Sequence, residues 1–396
     1  MRFSNTEAGK IETGPRQLTV RVWYPMDLDG LERDKKMPPY RHTIRLFDGT
    51  QVEVETPALA QPDGEIDPGV TDSFPLVLLS HGYGGWHTVM TYLTENLASK
   101  GYVTAAIDHS DLSPPGARAP ALDFADTFIN RSRDQQKVLA ALLGSGGAKD
   151  FQRLINPEQV AVVGYSMGGF GALATGGASY APNSNAANLL GLPQEVREAL
   201  ATAVDEPVAS AVKALVLLAP WGAQPTYRAW DEASLGNVNI PVLLLAGRHD
   251  DVSDYEAGVR WLFDTLSGTD RYLLTYESAR HNIANNPVLE FAPALRDAYV
   301  RQEYFAEPVW RTERLNAINL HFVTAFLNLT LKGNGEMLPY LQLPVEASAD
   351  GDWPLPFGQS GGDAHAGEQQ TQFWRGFRRR WALGMTMEYR SAAKTD

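Results

Sequence analysis

The residues with the clearest chemical potential are Gly164-Tyr165-Ser166-Met167-Gly168, a serine with glycine two positions away on either side. The apolar run 160–163 precedes them and predicts a strand, while the small residues at 169–174 are compatible with a helix. A serine that protrudes from a sharp turn between strand and helix needs neighbours with almost no side chain. The pattern therefore predicts that Ser166 is a nucleophile at the end of a strand.

A serine hydroxyl becomes a good nucleophile only when a base takes its proton and a third group orients that base. Where such a turn carries the serine, the order along the chain is serine, acid, histidine. His281 follows the apolar run 272–276 and precedes the last predicted helix. His249 shares the loop of the candidate acids but precedes the carboxylate, and His321 lies within the last helix, so we expect His281 to be the base.

The acid is expected directly after the strand predicted at 242–246. Two neighbouring carboxylates, Asp250 and Asp251, follow this run. Asp250 lies three residues past Gly247, the usual spacing for such an acid, and is therefore the first choice. Asp251 is the alternative, and a third interpretation makes both of them solvated loop acids.

A glycine-rich loop, His81-Gly82-Tyr83-Gly84-Gly85, follows the strand predicted at 74–80. Glycines allow the backbone to curl so that an amide points at the oxygen of a reacting carbonyl. We expect the amides of Tyr83 and Met167 to form this oxyanion hole, with His81 bracing the loop. A glycine-rich loop can also bind phosphate, but the nucleotide-binding motifs GxxxxGK[ST] and GxGxxG are absent, so nucleotide binding is not expected.

Strands and helices alternate over most of the chain, and Asp48-Gly49 marks a hairpin turn. Continuous apolar strands are typical of a parallel sheet that is covered on both faces. The fold class is therefore α/β, with a doubly wound, mostly parallel sheet and antiparallel strands at the N-terminus. The predicted strands are 18–24, 43–47, 51–55, 74–80, 102–107, 160–164, 214–219, 242–246 and 272–276, and the predicted helices are 126–143, 192–204, 255–266 and 312–332.

We expect one catalytic domain over residues 1–333, followed by a C-terminal extension, 334–396, packed on it. Two insertions, 181–212 and 282–311, interrupt the alternation, and either could cover the site or pack elsewhere. The basic and aromatic run 373–381 could form a nucleic-acid surface, but a packed terminal segment is the preferred interpretation.

The composition limits the partners. The 396-residue chain carries 34 basic and 47 acidic residues, a net charge of −13, which argues against nucleic acid as a partner. It contains no cysteine, so disulfides, thiolate metal sites and a cysteine nucleophile are excluded.

No metal or organic cofactor is implied, and no membrane span is expected. The N-terminus lacks the apolar stretch of a signal peptide, which leaves a cytoplasmic protein or a secreted one whose leader was removed. The sequence does not indicate an oligomeric state.

Several motifs together resemble the α/β-hydrolase fold, in particular the predicted dienelactone hydrolase and platelet-activating-factor acetylhydrolase-like branch of serine esterases. Cysteine serves as nucleophile in dienelactone hydrolases proper, so the absence of cysteine argues against the lactone reaction. The Ser166-Met167 pair, the aromatic Tyr83 and the pair Pro220-Trp221 are also similar to cutinases and polyester hydrolases. The motifs that carry the first resemblance are 22–25, 81–85, 164–169, 314–319 and 373–377.

The resemblance implies a serine hydrolase of uncharged carboxylic esters, including aromatic diesters or polyesters, with a small-molecule or polymeric substrate. Tyr83 and Trp221 are the expected substrate-binding residues, and no basic clamp is expected near Ser166. An amidase, peptidase or thioesterase with the same triad is an alternative, because the triad does not reveal the leaving group. A catalytically silent binding protein of the same fold is the alternative from another class.

Overall fold

A ten-stranded sheet forms the centre of the molecule. The computed structural model describes residues 3–12, 17–26, 36–46, 49–66, 73–114, 117, 119–144, 150–202, 206–292, 295, 303–351, 373–377 and 381–393. The strands are β1 (Phe3–Glu12), β2 (Gln17–Pro25), β3 (Tyr40–Arg45), β4 (Gln51–Thr56), β5 (Gln61–Pro62), β6 (Phe74–Ser80), β7 (Val103–Asp108), β8 (Ile155–Tyr165), β9 (Val212–Leu218), β10 (Val242–Gly247), β11 (Arg271–Tyr276) and β12 (Met385–Arg390).

The strand order is β12-β11-β10-β9-β8-β6-β7-β2-β1-β5, and β3 and β4 form a separate antiparallel hairpin. The six strands from β7 to β11 in this order run parallel, whereas β2 and β12 pair with their neighbours in the antiparallel direction. The chain passes from β7 back across β6 to β8, so the direction of strand addition reverses there. Such a switch point leaves a crevice at the carboxyl ends of the strands, where ligands bind in open α/β sheets.

Helices cover both faces of the sheet. The α-helices are α1 (Thr91–Ser99), α2 (Pro120–Leu143), α3 (Met167–Thr175), α4 (Asn185–Leu189), α5 (Gln194–Ala201), α6 (Glu206–Ala211), α7 (Glu232–Gly236), α8 (Trp261–Thr265), α9 (Val288–Phe291) and α10 (Thr312–Thr330). None of the helices in the described ranges combines the length and the apolar composition needed to cross a membrane.

The apolar side chains of the central strands divide between two cores. In β6, Val77 and Leu79 enter the core under α1 and α10, while Leu76 and Leu78 enter the core under α2 and α3. All four are buried. This arrangement explains the continuous apolar runs of the sequence, because a strand covered on both faces has no solvent-facing side.

The structure confirms the predicted α/β fold class and the predicted strands, with small shifts at their ends. Strand β8 is longer than predicted because it starts at Ile155. The predicted helix 255–266 is a π-helical turn, Tyr255–Arg260, followed by α8. Asp48 of the predicted hairpin turn lies outside the described residues. Helix α1 and the strands β1, β5 and β12 were not predicted.

Strand pairing and aromatic packing both join the C-terminal region to the rest of the chain. Strand β12 pairs with β11 along its whole length. The buried ring of Trp374 packs edge to face against Phe322 of α10, with centroids 6.0 Å apart, and its Nε1 donates a hydrogen bond to the Val345 carbonyl at 2.9 Å. The division at residue 333 stays a prediction.

Replacing Trp374 with alanine tests whether this region stabilises the whole molecule. Trp374→Ala removes a fully buried ring and should lower the free energy of unfolding by about 3–5 kcal/mol. The matched control is Trp381→Ala, because Trp381 is 62% exposed and its loss should change stability by less than about 0.5 kcal/mol. Urea unfolding followed by circular dichroism measures both. If Trp374→Ala leaves the main transition unchanged, the terminal region folds independently of the domain.

Candidate active site

Ser166 lies at a sharp turn between β8 and α3. Its backbone has φ 51° and ψ −115°, a conformation that L-residues rarely adopt. The turn is crowded: a Cβ on Gly168 would lie 2.0 Å from the Ser80 carbonyl oxygen, and one on Gly164 would lie 2.3 Å from the Gly168 carbonyl. Glycine is therefore required at both positions, which explains the spacing seen in the sequence.

Ser166, His281 and Asp250 form a continuous hydrogen-bonded chain. Nε2 of His281 lies 3.0 Å from Oγ of Ser166, and Nδ1 of His281 lies 2.9 Å and 3.0 Å from the two carboxylate oxygens of Asp250. The three side chains come from the carboxyl ends of β8, β11 and β10. All three residues are less than a tenth exposed, so little water competes for these hydrogen bonds.

The structure separates the two candidate acids. Asp250 is 4% exposed, and its Oδ1 also accepts hydrogen bonds from the amides of Val252 at 3.0 Å and Ser253 at 2.8 Å. Asp251 points elsewhere and forms an ion pair with Arg280, in which both side chains are about half exposed. Only Asp250 is in position to orient His281.

The two expected oxyanion donors come from different segments near Ser166. Met167 is the first residue of α3, and the first amides of a helix have no partner within the helix. Tyr83 lies in the loop after β6 and lines the same cavity as Ser166. The next residue, Gly84, has φ 71°, and its amide donates a hydrogen bond to Asp111 Oδ2 at 2.9 Å. Asp111 thus fixes the direction of the loop beside Tyr83.

A buried charged pair, Arg131 and Asp111, holds this loop in place. Arg131 of α2 makes two hydrogen bonds to the Asp111 carboxylate, at 2.6 Å and 2.7 Å, and one to the His81 carbonyl oxygen at 2.9 Å. Neither side chain of the pair is more than 1% exposed. Removing one partner of such a pair leaves an uncompensated buried charge and costs about 3–5 kcal/mol. The pair therefore ties the candidate oxyanion loop firmly to α2.

His81 braces the loop from within. Its Nδ1 donates to the Gly82 carbonyl oxygen at 2.6 Å, and its Nε2 accepts a hydrogen bond from the His109 amide at 3.1 Å. Burial, together with the nearby charge of Arg131, lowers the pKa of His81 to about 4. The imidazole is consequently neutral at neutral pH. This agrees with its two hydrogen bonds, because a neutral ring donates from one nitrogen and accepts at the other.

The site opens into a cavity of about 600 Å³. One wall comes from the end of the β3–β4 hairpin, and another comes from residues 303–308, within the predicted insertion 282–311. No described residue of the other insertion, 181–212, lines it. The lining residues are Arg45, Leu46, Gly82, Tyr83, Gly84, Gly85, Trp86, Val89, Leu112, Tyr165, Ser166, Asp251, Val252, Arg280, His281, Asn282, Asn285, Glu303, Tyr304, Phe305, Ala306 and Pro308.

Trp221 is close to the sharp turn that carries Ser166 but does not line this cavity. Its amide donates to the Ser166 carbonyl oxygen at 3.1 Å, and its ring is buried. Phe124 lies between the two predicted substrate-binding rings, with centroids 5.3 Å from Tyr83 and 5.3 Å from Trp221. The role of Trp221 in substrate binding stays a prediction.

The arginines around the site were not predicted. Two basic side chains, Arg45 and Arg280, line the cavity, and Arg280 is paired with Asp251. The expectation that no basic clamp lies near Ser166 stays a prediction. Arg45 and the buried pair of Arg131 and Asp111 come from segments without a local motif. Arg280 lies next to His281 in the sequence, and this position was the one available signal.

The strand order, the helices on both faces and the sharp turn with Ser166 at the end of β8 define an α/β-hydrolase fold. A solved structure, a ferulic acid esterase from Streptomyces cinnamoneus, shares this fold with a TM-score of 0.57 and 21% sequence identity. The alignment covers 84% of this chain and 91% of that one.

The sequence comparisons agree with the resemblance seen in the motifs. The family model for platelet-activating factor acetylhydrolase, isoform II, matches residues 12–119. Two cutinases from Thermobifida alba, est2 and est1, are 23% and 22% identical over 241 residues, which is 60% of this chain. The chain spans 63% and 64% of the lengths of these relatives.

A pair of isosteric substitutions distinguishes the two carboxylates. Asp250→Asn should lower kcat by roughly 10⁴-fold, because an amide favours the wrong tautomer of His281. Asp251→Asn is the matched control and should change kcat far less, because Asp251 contacts Arg280 at the rim. Steady-state hydrolysis of a p-nitrophenyl ester, with circular dichroism as a folding check, measures both. The reverse ranking would transfer the orienting role to Asp251.

Proposed function

We propose that this protein is a carboxylic ester hydrolase that works through Ser166, His281 and Asp250 and an acyl-enzyme intermediate. The observation that carries the proposal is the unbroken hydrogen-bonded chain from Asp250 to Ser166 at the edge of a large cavity. The similarity to cutinases, to the acetylhydrolase family model and to the fold of a ferulic acid esterase supports it.

In the first half of the reaction, Ser166 Oγ attacks the ester carbonyl carbon while His281 Nε2 takes the hydroxyl proton. The carbonyl oxygen becomes an oxyanion, which the amides of Tyr83 and Met167 stabilise. Asp250 stabilises the imidazolium that forms and keeps the ring in position. The carbon–oxygen bond to the alcohol then breaks, and the alcohol leaves with the proton from His281.

In the second half, a water molecule takes the place of the alcohol. His281 removes a proton from this water, whose oxygen attacks the acyl carbon. A second oxyanion forms in the same hole and collapses, which breaks the bond to Ser166 Oγ. The acid product leaves, and the proton on His281 returns to the serine, so the enzyme is restored.

Two alternatives have different support. An amidase, peptidase or thioesterase would use the same three residues, and the site geometry is equally compatible with each leaving group. A catalytically silent binding protein is less well supported, because a silent site does not need the complete chain of hydrogen bonds to Ser166.

Replacing the nucleophile tests the proposal directly. Ser166→Ala should lower kcat for p-nitrophenyl esters by roughly 10⁴- to 10⁶-fold and abolish labelling by a fluorescent phosphonate. Thr88→Ala, which changes a buried hydroxyl outside the proposed machinery, is the control and should retain the labelling. An active wild type whose labelling persists in Ser166→Ala would assign the nucleophile to another residue, while a wild type inactive on all esters would favour the silent protein.

We further propose that the substrates are uncharged esters with an apolar acyl group. The net charge of −13 repels anions at long range. Within the cavity lining, Arg45 and Arg280 are offset by Asp251 and Glu303, and Arg280 is already paired with Asp251. Aromatic side chains such as Tyr83 offer apolar area, worth about 25 cal/mol per Å² removed from water. Aromatic diesters and polyester fragments fit this description.

A substrate series tests both parts of this proposal. The kcat/KM of a neutral aromatic diester should exceed that of its half-acid monoester at fixed pH and ionic strength. Trp221→Ala should selectively reduce hydrolysis of bulky acyl groups, because it removes the ring that supports Phe124. If Trp221→Ala leaves the kcat/KM values of the whole substrate series unchanged, Trp221 is a core residue and does not contribute to substrate binding. A higher kcat/KM for the monoester than for the diester would overturn the proposal that anionic substrates are disfavoured. Arg45→Gln would then show whether Arg45 binds the free carboxylate.

A further inference from the structure

A second group of chemically capable side chains lies outside the candidate active site. His42 is on β3, His87 is in the loop after β6, and Asp108 is the last residue of β7. Their ligand atoms all lie within 4.8 Å of one another. Among the described residues, this is the one group of three or more histidine and carboxylate side chains that meets this distance.

Two of the three distances within the group are close to the edge lengths of a metal-centred tetrahedron. Zinc binds imidazole nitrogen at about 2.0–2.1 Å and carboxylate oxygen at about 2.0–2.2 Å, so its tetrahedral ligands are about 3.3–3.5 Å apart. Asp108 Oδ2 lies 3.2 Å from His87 Nδ1 and 3.6 Å from His42 Nε2. One carboxylate oxygen therefore faces two ring nitrogens at separations within about 0.2 Å of those around a shared ion.

Neighbouring groups hold the three side chains in these orientations. The Ser110 amide donates to Asp108 Oδ1 at 3.1 Å, so Oδ2 is the oxygen directed at the histidines. The His42 ring stacks on Trp86, with centroids 6.0 Å apart and planes 10° apart. Such outer contacts orient ligands in metal sites. The side chains are 7–22% exposed, which leaves water access for a fourth ligand.

We propose that His42, His87 and Asp108 bind a zinc ion, with water as the fourth ligand. The ion joins three separate segments of the chain. None of its ligands lines the cavity, so it does not touch the substrate. It instead fixes the β3–β4 hairpin, whose Arg45 and Leu46 form one wall, against the loop that carries Trp86. The site therefore stabilises the shape of the cavity.

The donor set also predicts which ions bind. Two imidazoles and one carboxylate suit zinc and neighbouring transition metals, whereas Ca²⁺ prefers six to eight oxygen ligands. Calcium therefore serves as a control ion that should bind elsewhere or not at all. From the sequence, the absence of cysteine excluded only thiolate metal sites. These three residues are far apart along the chain, so their proximity could not be seen there.

Titration calorimetry with ZnCl₂ on the chelator-treated 396-residue chain tests the site. The Ser166→Ala background keeps this test independent of the proposed hydrolase activity. We expect one zinc per chain and a rise in Tm of at least about 2 °C in excess zinc, with no such rise in calcium. His42→Ala and Asp108→Asn should weaken binding by more than about 100-fold, because loss of an outer partner alone costs about 10–100-fold.

Two control variants separate the loss of a zinc ligand from damage to the fold and from zinc binding at surface histidines. Arg41→Ala changes the neighbouring residue on β3 and should retain zinc binding, which controls for damage to the hairpin. His249→Ala removes a histidine outside the cluster and should also retain it. The visible absorption of Co²⁺ bound in place of zinc reports on the coordination of the metal in the chain that keeps all three ligands. Absence of stoichiometric zinc binding, or binding unchanged in both His42→Ala and Asp108→Asn, would overturn the proposal and leave a hydrogen-bonded cluster.

Discussion

The close approach of helix α3 to the end of strand β6 is the contact on which the candidate site depends. A Cβ on Gly168 would lie 2.0 Å from the Ser80 carbonyl oxygen, so the two backbones touch without a side chain between them. Because the loop with Tyr83 starts where β6 ends, this contact brings it beside Ser166. A larger residue at 168 would push the helix from the strand and separate the nucleophile from its expected oxyanion donors.

Charged groups away from the reacting atoms stabilise this arrangement. The buried pair of Arg131 and Asp111 connects α2 to both ends of the glycine-rich loop, through the His81 carbonyl and the Gly84 amide. Hydrogen bonds held in a site that excludes water need no rearrangement during a reaction, which is the basis of electrostatic preorganisation. The proposed zinc site lies next to the end of the same loop in the sequence, where it would fix Trp86. The glycine-rich loop and the hairpin that line the cavity are thus each tied to a neighbouring part of the chain.

Most of the central fold and the hydrogen-bonded chain could be predicted from the sequence, because the relevant signals are local. Ser166, Asp250 and His281 each follow an apolar run that could be recognised as a strand. The choice of Asp250 followed from its distance to a glycine. The contacts of Arg45 and Arg131 could not be found in this way, because they depend on how distant segments pack. Strand β12 was missed for a similar reason: its mixed sequence, Met-Thr-Met-Glu-Tyr-Arg, becomes a strand through pairing with β11.

The central claim is that Ser166 attacks a carbonyl whose oxygen is received by the amides of Tyr83 and Met167. A crystal structure of the protein after reaction with an alkyl phosphonate inhibitor tests this claim most directly, because the tetrahedral phosphorus imitates the intermediate. We expect a bond from phosphorus to Ser166 Oγ and a phosphoryl oxygen about 2.7–3.1 Å from both amide nitrogens. An adduct on another side chain, or a phosphoryl oxygen directed away from both amides, would contradict the claim.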